Sequence, residues 1–192
     1  MKVMAMALWD LFKNNNHTED FDPIRDLTLA KLRPGYLVDY DAQTWRVKSY
    51  CRYDFGEGYT SEEWELDSGS ETRYLEHAQE EGETQWSWSK RLPLGEIDGN
   101  LRQYIIQHDD PPDELTWDNQ IYYLDESGPG YMYENGQGPA QEFIYWEFIT
   151  EINESILTIE QWGEREFEAW LSVPVQEYEF TSILPGESGA VE

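Results

Sequence analysis

Beyond Gly35 the chain alternates apolar and polar positions with a period of two, the mark of strands that bury one face. The clearest run is 44–53, where Trp45, Val47, Cys51 and Tyr53 alternate with Arg46, Lys48, Tyr50 and Arg52. Read literally, this places Arg46, Lys48 and Arg52 on one face, opposite strand acids such as Glu63 or Glu65. Exposed pairs of that kind are worth under about 1 kcal/mol each. The same rhythm predicts strands at 36–40, 60–66, 71–77 and 84–90, then at 120–124, 130–134, 141–148, 155–161, 166–171 and 176–183. Turn signals separate most of them: Gly56-Glu57-Gly58, Asp67-Ser68-Gly69, Ser127-Gly128-Pro129-Gly130 and Asn135-Gly136-Gln137-Gly138. Many short strands at this spacing predict an all-β, antiparallel sandwich or partly open barrel.

The pattern differs before Gly35 and in the middle of the chain. Residues 3–13 group Met4, Leu8, Trp9, Leu11 and Phe12 on one side of a short amphipathic helix, read as an arm docked on its own domain, with membrane contact the minor alternative. Asp22-Pro23 has the chemistry of a helix start, leading to Leu27 and ending before Pro34-Gly35. Between the two strand-rich stretches, Leu101, Tyr104, Ile105 and His108 fall at helical spacing, while Tyr104-Ile105-Ile106 also suits a strand core; Pro111-Pro112 ends either.

A shift of 82 positions, without gaps, lays Tyr40 on Tyr122, Gly56 on Gly138, Trp64-Glu65 on Trp146-Glu147, Leu75 on Leu157 and Trp88 on Trp170. The expectation is a tandem duplication of two related antiparallel β-units. It divides the chain into a helical arm (1–35), a first β-unit (36–98), a connecting segment (99–118), a second β-unit (119–186) and a tail (187–192).

Charge sharpens this division. The net charge is −27, from 40 acids against 13 Lys and Arg, yet residues 1–35 hold five of each sign, and from Gln103 onward 20 acids face Arg165 alone. Such a field disfavours direct nucleic-acid binding and anionic lipid surfaces and attracts cations or basic protein patches. Nine Trp and thirteen Tyr distinguish the chain from a disordered acidic polymer. The lone Cys51 excludes an internal disulfide, reads as a core residue on its strand and fits a reducing compartment. No apolar run approaches membrane-spanning length and no signal-peptide pattern is present, so the expected location is cytoplasmic.

Few constellations carry chemistry. His108-Asp109-Asp110, with Asp113 and Glu114, is the one place where a histidine meets several carboxylates, so His108, Asp109 and Asp110 are the candidate metal ligands. Adjacent residues rarely converge on one ion. Nucleotide-binding loops, serine elbows and Cys-x-x-Cys pairs are absent, which leaves no catalytic residue and no cofactor expected. What remains is rings interleaved with acids, a pairing that suits organic cations at roughly 0.5–2 kcal/mol per ring. The candidate contacts are Trp146, Glu147, Glu160, Trp162, Glu164 and Glu166.

Several stretches together resemble a known family: Leu32-Arg33-Pro34-Gly35-Tyr36-Leu37-Val38-Asp39-Tyr40-Asp41 with Trp45, Glu63-Trp64-Glu65-Leu66, His108-Asp109-Asp110-Pro111-Pro112, Tyr145-Trp146-Glu147, Leu157-Thr158-Ile159-Glu160-Gln161-Trp162-Gly163, and Tyr178-Glu179-Phe180-Thr181-Ser182-Ile183-Leu184-Pro185. Their order and spacing resemble the bacterial domain-of-unknown-function family numbered 4178, over roughly residues 27–186. The resemblance implies no established activity and no catalytic residue, only an accessory role. The expected function is a non-catalytic binding or adaptor module for a basic protein surface or a polyamine-like cation. The alternatives are a metal-dependent hydrolase centred on His108 and an inhibitor that mimics nucleic acid.

Overall fold

Two long strands organise the sheet, each pairing with one neighbour along its first half and another along its second. The computed structural model describes residues 27–97, 100–152 and 154–186. The expected helix at 3–13, the helix start at Asp22-Pro23 and the tail at 187–192 lie outside the described residues. The strands are β1 (Leu37–Tyr40), β2 (Gln43–Gly56), β3 (Tyr59–Asp67), β4 (Thr72–Glu80), β5 (Glu83–Arg91), β6 (Glu114–Trp117), β7 (Gln120–Glu134), β8 (Gln141–Ile149), β9 (Ile156–Gly163), β10 (Glu166–Val175) and β11 (Thr181–Leu184), with one helix, α1 (Leu101–His108). The fold is all-β, as expected.

All pairings are antiparallel, and the order across the sheet is β11-β1-β2-β3-β4-β5-β10-β9-β8-β7-β6. β2 also pairs with β7, from Cys51 opposite Glu134 to Asp54 opposite Tyr131. That contact closes β2, β3, β4, β5, β10, β9, β8 and β7 into a ring, with β1, β11 and β6 added at its margins. Eight strands enclose an interior just wide enough for side chains or one small ligand.

A bulge lets each long strand serve two environments. Lys48 has no partner between Val47–Leu66 and Ser49–Glu65, and Asp125 has none between Leu124–Phe148 and Glu126–Glu147. One extra residue inverts the in-out alternation beyond it. Before the bulge Trp45 and Val47 point outward into a core; after it Tyr50 takes that face, and Cys51 and Tyr53 turn inward. The expected basic stripe is therefore broken: Arg46 and Arg52 lie on opposite faces and Lys48 sits in the bulge.

The apolar mass lies outside the ring, in two separate cores. One contains Trp45, Val47, Trp64, Leu66, Leu75, Trp86 and Trp88, covered by Leu29 and Leu32 from the chain before β1 and by Val175 and Phe180 near its end. The other contains Trp146, Phe148, Leu157, Ile159, Phe167 and Ala169, covered by Leu94, Ile97 and the Leu101 and Ile105 face of α1. Spacing of four positions puts those last two residues on one side of the helix, which settles the helix-or-strand ambiguity. Asp109, in the left-handed conformation, ends α1 by donating its N–H to the Ile105 carbonyl at 2.8 Å. Trp64 and Trp146 occupy matching places: each is buried, and each indole N–H reaches the covering chain, at the Leu32 carbonyl (3.0 Å) and Asp110 Oδ1 (3.2 Å).

Other expectations need correcting. Ser127-Gly128-Pro129-Gly130 is not a turn but the middle of β7, because its glycines supply space rather than a positive φ. A Cβ on Gly130 would stand 2.3 Å from the Phe143 ring, and one on Gly128 3.4 Å from Tyr145. β6 lies within the segment read as a connection. The strand expected at 176–183 is a 3-10 turn, Glu177–Glu179, followed by β11. Of the helix expected before Pro34, the described part holds a single 3-10 turn, Leu29–Lys31. Trp88 and Trp170 do not correspond: Trp88 faces Leu75 in an outer core, whereas an irregularity near Glu166 turns Trp170 toward the interior opposite Thr158.

Candidate functional site

With the aliphatic side chains and most tryptophans committed to the outer faces, the alternate positions of the same strands point into the ring and bring in Phe55, Phe143 and Trp170 beside polar groups. The lumen is lined by Tyr53 and Phe55 from β2, Glu63 from β3, Glu76 from β4, Ser89 from β5, Tyr145 and Glu147 from β8, Thr158 and Glu160 from β9, and Trp170 and Ser172 from β10. Four carboxyls thus share a cavity of about 40 Å³ whose lining contains no Lys, Arg or His. Glu63 and Glu76 are direct cross-strand partners, and Glu160 lies beside Tyr145 in the pairing of β8 and β9.

These carboxyls are partly exposed toward the lumen, yet protein surrounds each of them. Burial raises all four above the ordinary carboxylate range. Glu147 is pushed up to about 8, first by burial and then by the charges of Glu76 and Glu126; no hydrogen bond opposes the shift. Glu160 is pushed up to about 7, although the indole N–H groups of Trp162 and Trp170 donate to it at 3.1 and 3.0 Å and favour its charged form. Glu63 is raised by burial and by Glu76 and Glu160, against a hydrogen bond from the Tyr53 hydroxyl at 3.1 Å. Glu76 is raised by burial alone; the Ser87 hydroxyl donates to it at 3.2 Å, and Ser61 stands close enough to favour its charge. Ser61, on the lumen face of β3 and only 1% exposed, nevertheless makes no well-formed hydrogen bond among the described residues.

The lumen opens at one end into a cleft of about 890 Å³. Its wall shares Tyr53, Glu63, Glu160 and Trp170 with the lumen and adds Trp162, Tyr74, Glu166, Glu168, Arg91, Arg102 and Arg165. Trp162 stacks on Phe143 with centroids 4.4 Å apart, and Tyr74 meets Trp170 edge-on at 4.7 Å. Cys51 lies in this wall, half-buried, rather than in an apolar core as its strand pattern implied. Burial and the charges of Glu63 and Glu134 push its thiol up to about 11, which leaves it protonated and unreactive at neutral pH.

Of the residues proposed from sequence, Glu147 and Glu160 lie in the lumen, and Trp162 and Glu166 at its mouth. Trp146 faces the other way, into the outer core, and Glu164 is exposed in the turn between β9 and β10. His108 closes α1, donating from Nδ1 to the Tyr104 carbonyl at 2.9 Å and stacking on Tyr104. Asp109 caps the helix and Asp110 accepts from Trp146, so His108, Asp109 and Asp110 do not face a common point. Among the described residues no three His, Cys, Asp or Glu side chains gather at metal-binding spacing. Sequence reasoning missed Glu63, Glu76, Tyr53 and Trp170. The available signal was the dipeptide pattern Glu63-Trp64 and Trp146-Glu147: a tryptophan buried on one face forces its neighbouring carboxylate to the other.

The family model described as Domain of unknown function (DUF4178) matches residues 33–177. The chain belongs to this family. The match runs from the approach to β1 through β10 and therefore takes in the whole ring. An uncharacterized protein of Aquifex aeolicus (strain VF5) is 29% identical over 157 residues, covering 82% of this chain and 85% of that protein. No solved structure matches.

Proposed function

We propose that the protein is a non-catalytic binding module whose lumen takes the positively charged end of an organic molecule. The observation that carries this reading is the set of four glutamates, Glu63, Glu76, Glu147 and Glu160, facing one cavity with no basic side chain in its lining. Burying unpaired carboxyls is costly, and a cation entering the lumen offsets that cost. The rings of Trp170, Tyr53, Tyr145 and Phe55 line the same space and add attraction for a cation at their faces. An ammonium group on a chain suits this space better than a bare metal ion, because the carboxyls are not gathered at metal-ligand spacing. A basic protein surface fits less well: Glu147 and Glu160 are accessible to a side chain or small molecule, not to a flat surface. The same placement argues against mimicry of nucleic acid by these residues.

Two further readings belong with this one. We infer that the halves descend from one unit, because β1–β5 and β6–β10 pair in the same order and the bulge is the sixth residue of both β2 and β7. We also place the module in the cytoplasm, which the single cysteine favours; no helix among the described residues is long and apolar enough to cross a membrane.

Calorimetric titration with alkylamines and diamines at pH 8, in two buffers of different ionisation heat, tests the reading. Expected are saturable binding, proton release from the glutamates, and loss of at least about tenfold in affinity in Glu160→Gln. Binding that is unchanged in both Glu147→Gln and Glu160→Gln, or no amine binding at all, would overturn it.

A further inference from the structure

The acidic cavity is only half of the opening. Residues 91–192 contain three Lys or Arg side chains in all, Arg91, Arg102 and Arg165, and all three line the cleft at the mouth of the lumen. They come from separate elements: the end of β5, the first turn of α1, and the turn between β9 and β10. In a stretch this poor in bases, such a gathering is not what a merely solvating surface requires.

Arg91 is engaged: it pairs with Glu168 and lies over the Trp170 ring at 5.8 Å. Arg102 is held but not neutralised. Its guanidinium lies over Phe167 at 5.9 Å and donates to the Arg165 backbone carbonyl at 3.4 Å, and it forms no ion pair among the described residues. The Arg165 side chain likewise has none, although Glu142 and Glu166 share the rim. Two guanidiniums therefore stand without an ion pair among the described residues, in a cleft that they share with Glu63, Glu65, Glu142, Glu160, Glu166 and Glu168. Arginine presents a planar fork that matches a carboxylate with two hydrogen bonds, where a lysine would offer only a point charge.

We propose that the ligand is zwitterionic: its ammonium end enters the lumen toward Glu160 and Glu63, and a carboxylate at its other end is held at the mouth by Arg102 and Arg165. The inference rests on the cation-binding lumen and adds the second charge, its sign and its position. The lumen selects the cation, the rim selects against simple amines and diamines, and the Trp162 and Trp170 rings flank the chain between them. A diamine would place its second charge against the arginines, which costs affinity by like-charge repulsion.

The test is a matched series, ω-amino acids from glycine to ω-aminohexanoate against alkylamines and diamines of the same lengths, titrated into wild type and into Arg102→Ala/Arg165→Ala. Because Arg102 packs on Phe167, Arg165→Ala alone and Arg102→Lys are measured alongside, with thermal unfolding as the check on folding. At the best length, the amino acid should bind at least about tenfold more tightly than the amine, and the amine more tightly than the diamine. The arginine variants should erase the preference for the amino acid, without weakening the amine and with a gain for the diamine. Amines or diamines that bind as tightly as the amino acid, or a loss shared equally by all three classes, would sink the zwitterion and leave the cation-binding lumen standing. If no member of the series binds, the lumen reading falls and this inference with it.

Discussion

Glu63 and Trp64 are consecutive on β3, and Trp146 and Glu147 are consecutive on β8, yet within each pair the two side chains live under opposite rules. The tryptophans are almost fully buried in the outer cores, their indole N–H groups paired with the covering chain. The glutamates face the lumen, where burial is the largest cause raising every carboxyl and the charge of Glu76 is the next for Glu63 and Glu147. The outer face of the sheet holds the protein together, and the inner face keeps carboxyls buried at a cost in free energy. That division of labour is the reverse of a filled barrel, in which the interior is the core. It explains why the protein needs flanking segments and α1: without them both apolar faces would be open to water.

Truncating an outer tryptophan should produce the largest effect. Trp64→Ala, or Trp146→Ala, should cost about 3–5 kcal/mol, from lost apolar burial, the cavity left behind and an orphaned acceptor in the covering chain. Urea unfolding monitored by circular dichroism measures it. A loss below about 1 kcal/mol would mean that the outer faces are not the stabilising ones. A smaller effect should come from the lumen side of β7. Gly130→Ala drives a methyl into the Phe143 ring and should cost about 1–3 kcal/mol, partly recovered in the double variant with Phe143→Leu. If Gly130→Ala is neutral, the ring has room to move and the inner face is looser than its glycines imply.

How much of this was legible in the sequence follows from which rules are local. Alternation and turn residues located β1 to β5 and most of β8 to β10, because a half-buried strand must show its period. The same rule misread Gly128 and Gly130, since a glycine that makes room for a ring looks identical to one that makes a turn. It also misassigned faces along β2: the bulge at Lys48 leaves no mark in the residues around it, so Cys51 was read as core and Arg46 as sharing a face with Arg52. Glu147, Glu160, Trp162 and Glu166 were singled out as acids near rings, but strand periodicity carries no sign telling which face closes on itself. Closure depends on β7 meeting β2 across the chain, and only that contact converts a polar face into a lumen and brings Glu63 and Glu76 to Glu147 and Glu160.

The subtlest distinction between the faces lies in pH. Glu147 and Glu160 have folded-state values of about 8 and about 7 against 4.5 for an ordinary glutamate, so the folded protein holds protons that the unfolded chain releases. Their protonation therefore contributes stability that is fully present below about 4.5 and is lost as pH rises through about 7 and about 8. Exposed carboxylates ionise well below pH 6 and contribute little slope between pH 6 and 8, a range in which the chain's three histidines also titrate, so the comparison with Glu147→Gln isolates the part due to the lumen. Thermal unfolding should therefore show a Tm that falls by a few degrees from pH 6 to pH 8, with both glutamates drawing it down. Glu147→Gln should flatten that slope and raise Tm at pH 8, since a neutral amide in the same space no longer has to choose between charge and burial. Added ligand should do the same for wild type by a different route, neutralising the carboxylates instead of removing them. A wild-type Tm that is flat over this range, or a Glu147→Gln slope identical to it, would show that the lumen carboxyls are solvated like those outside, and the contrast between the two faces would lose its energetic basis.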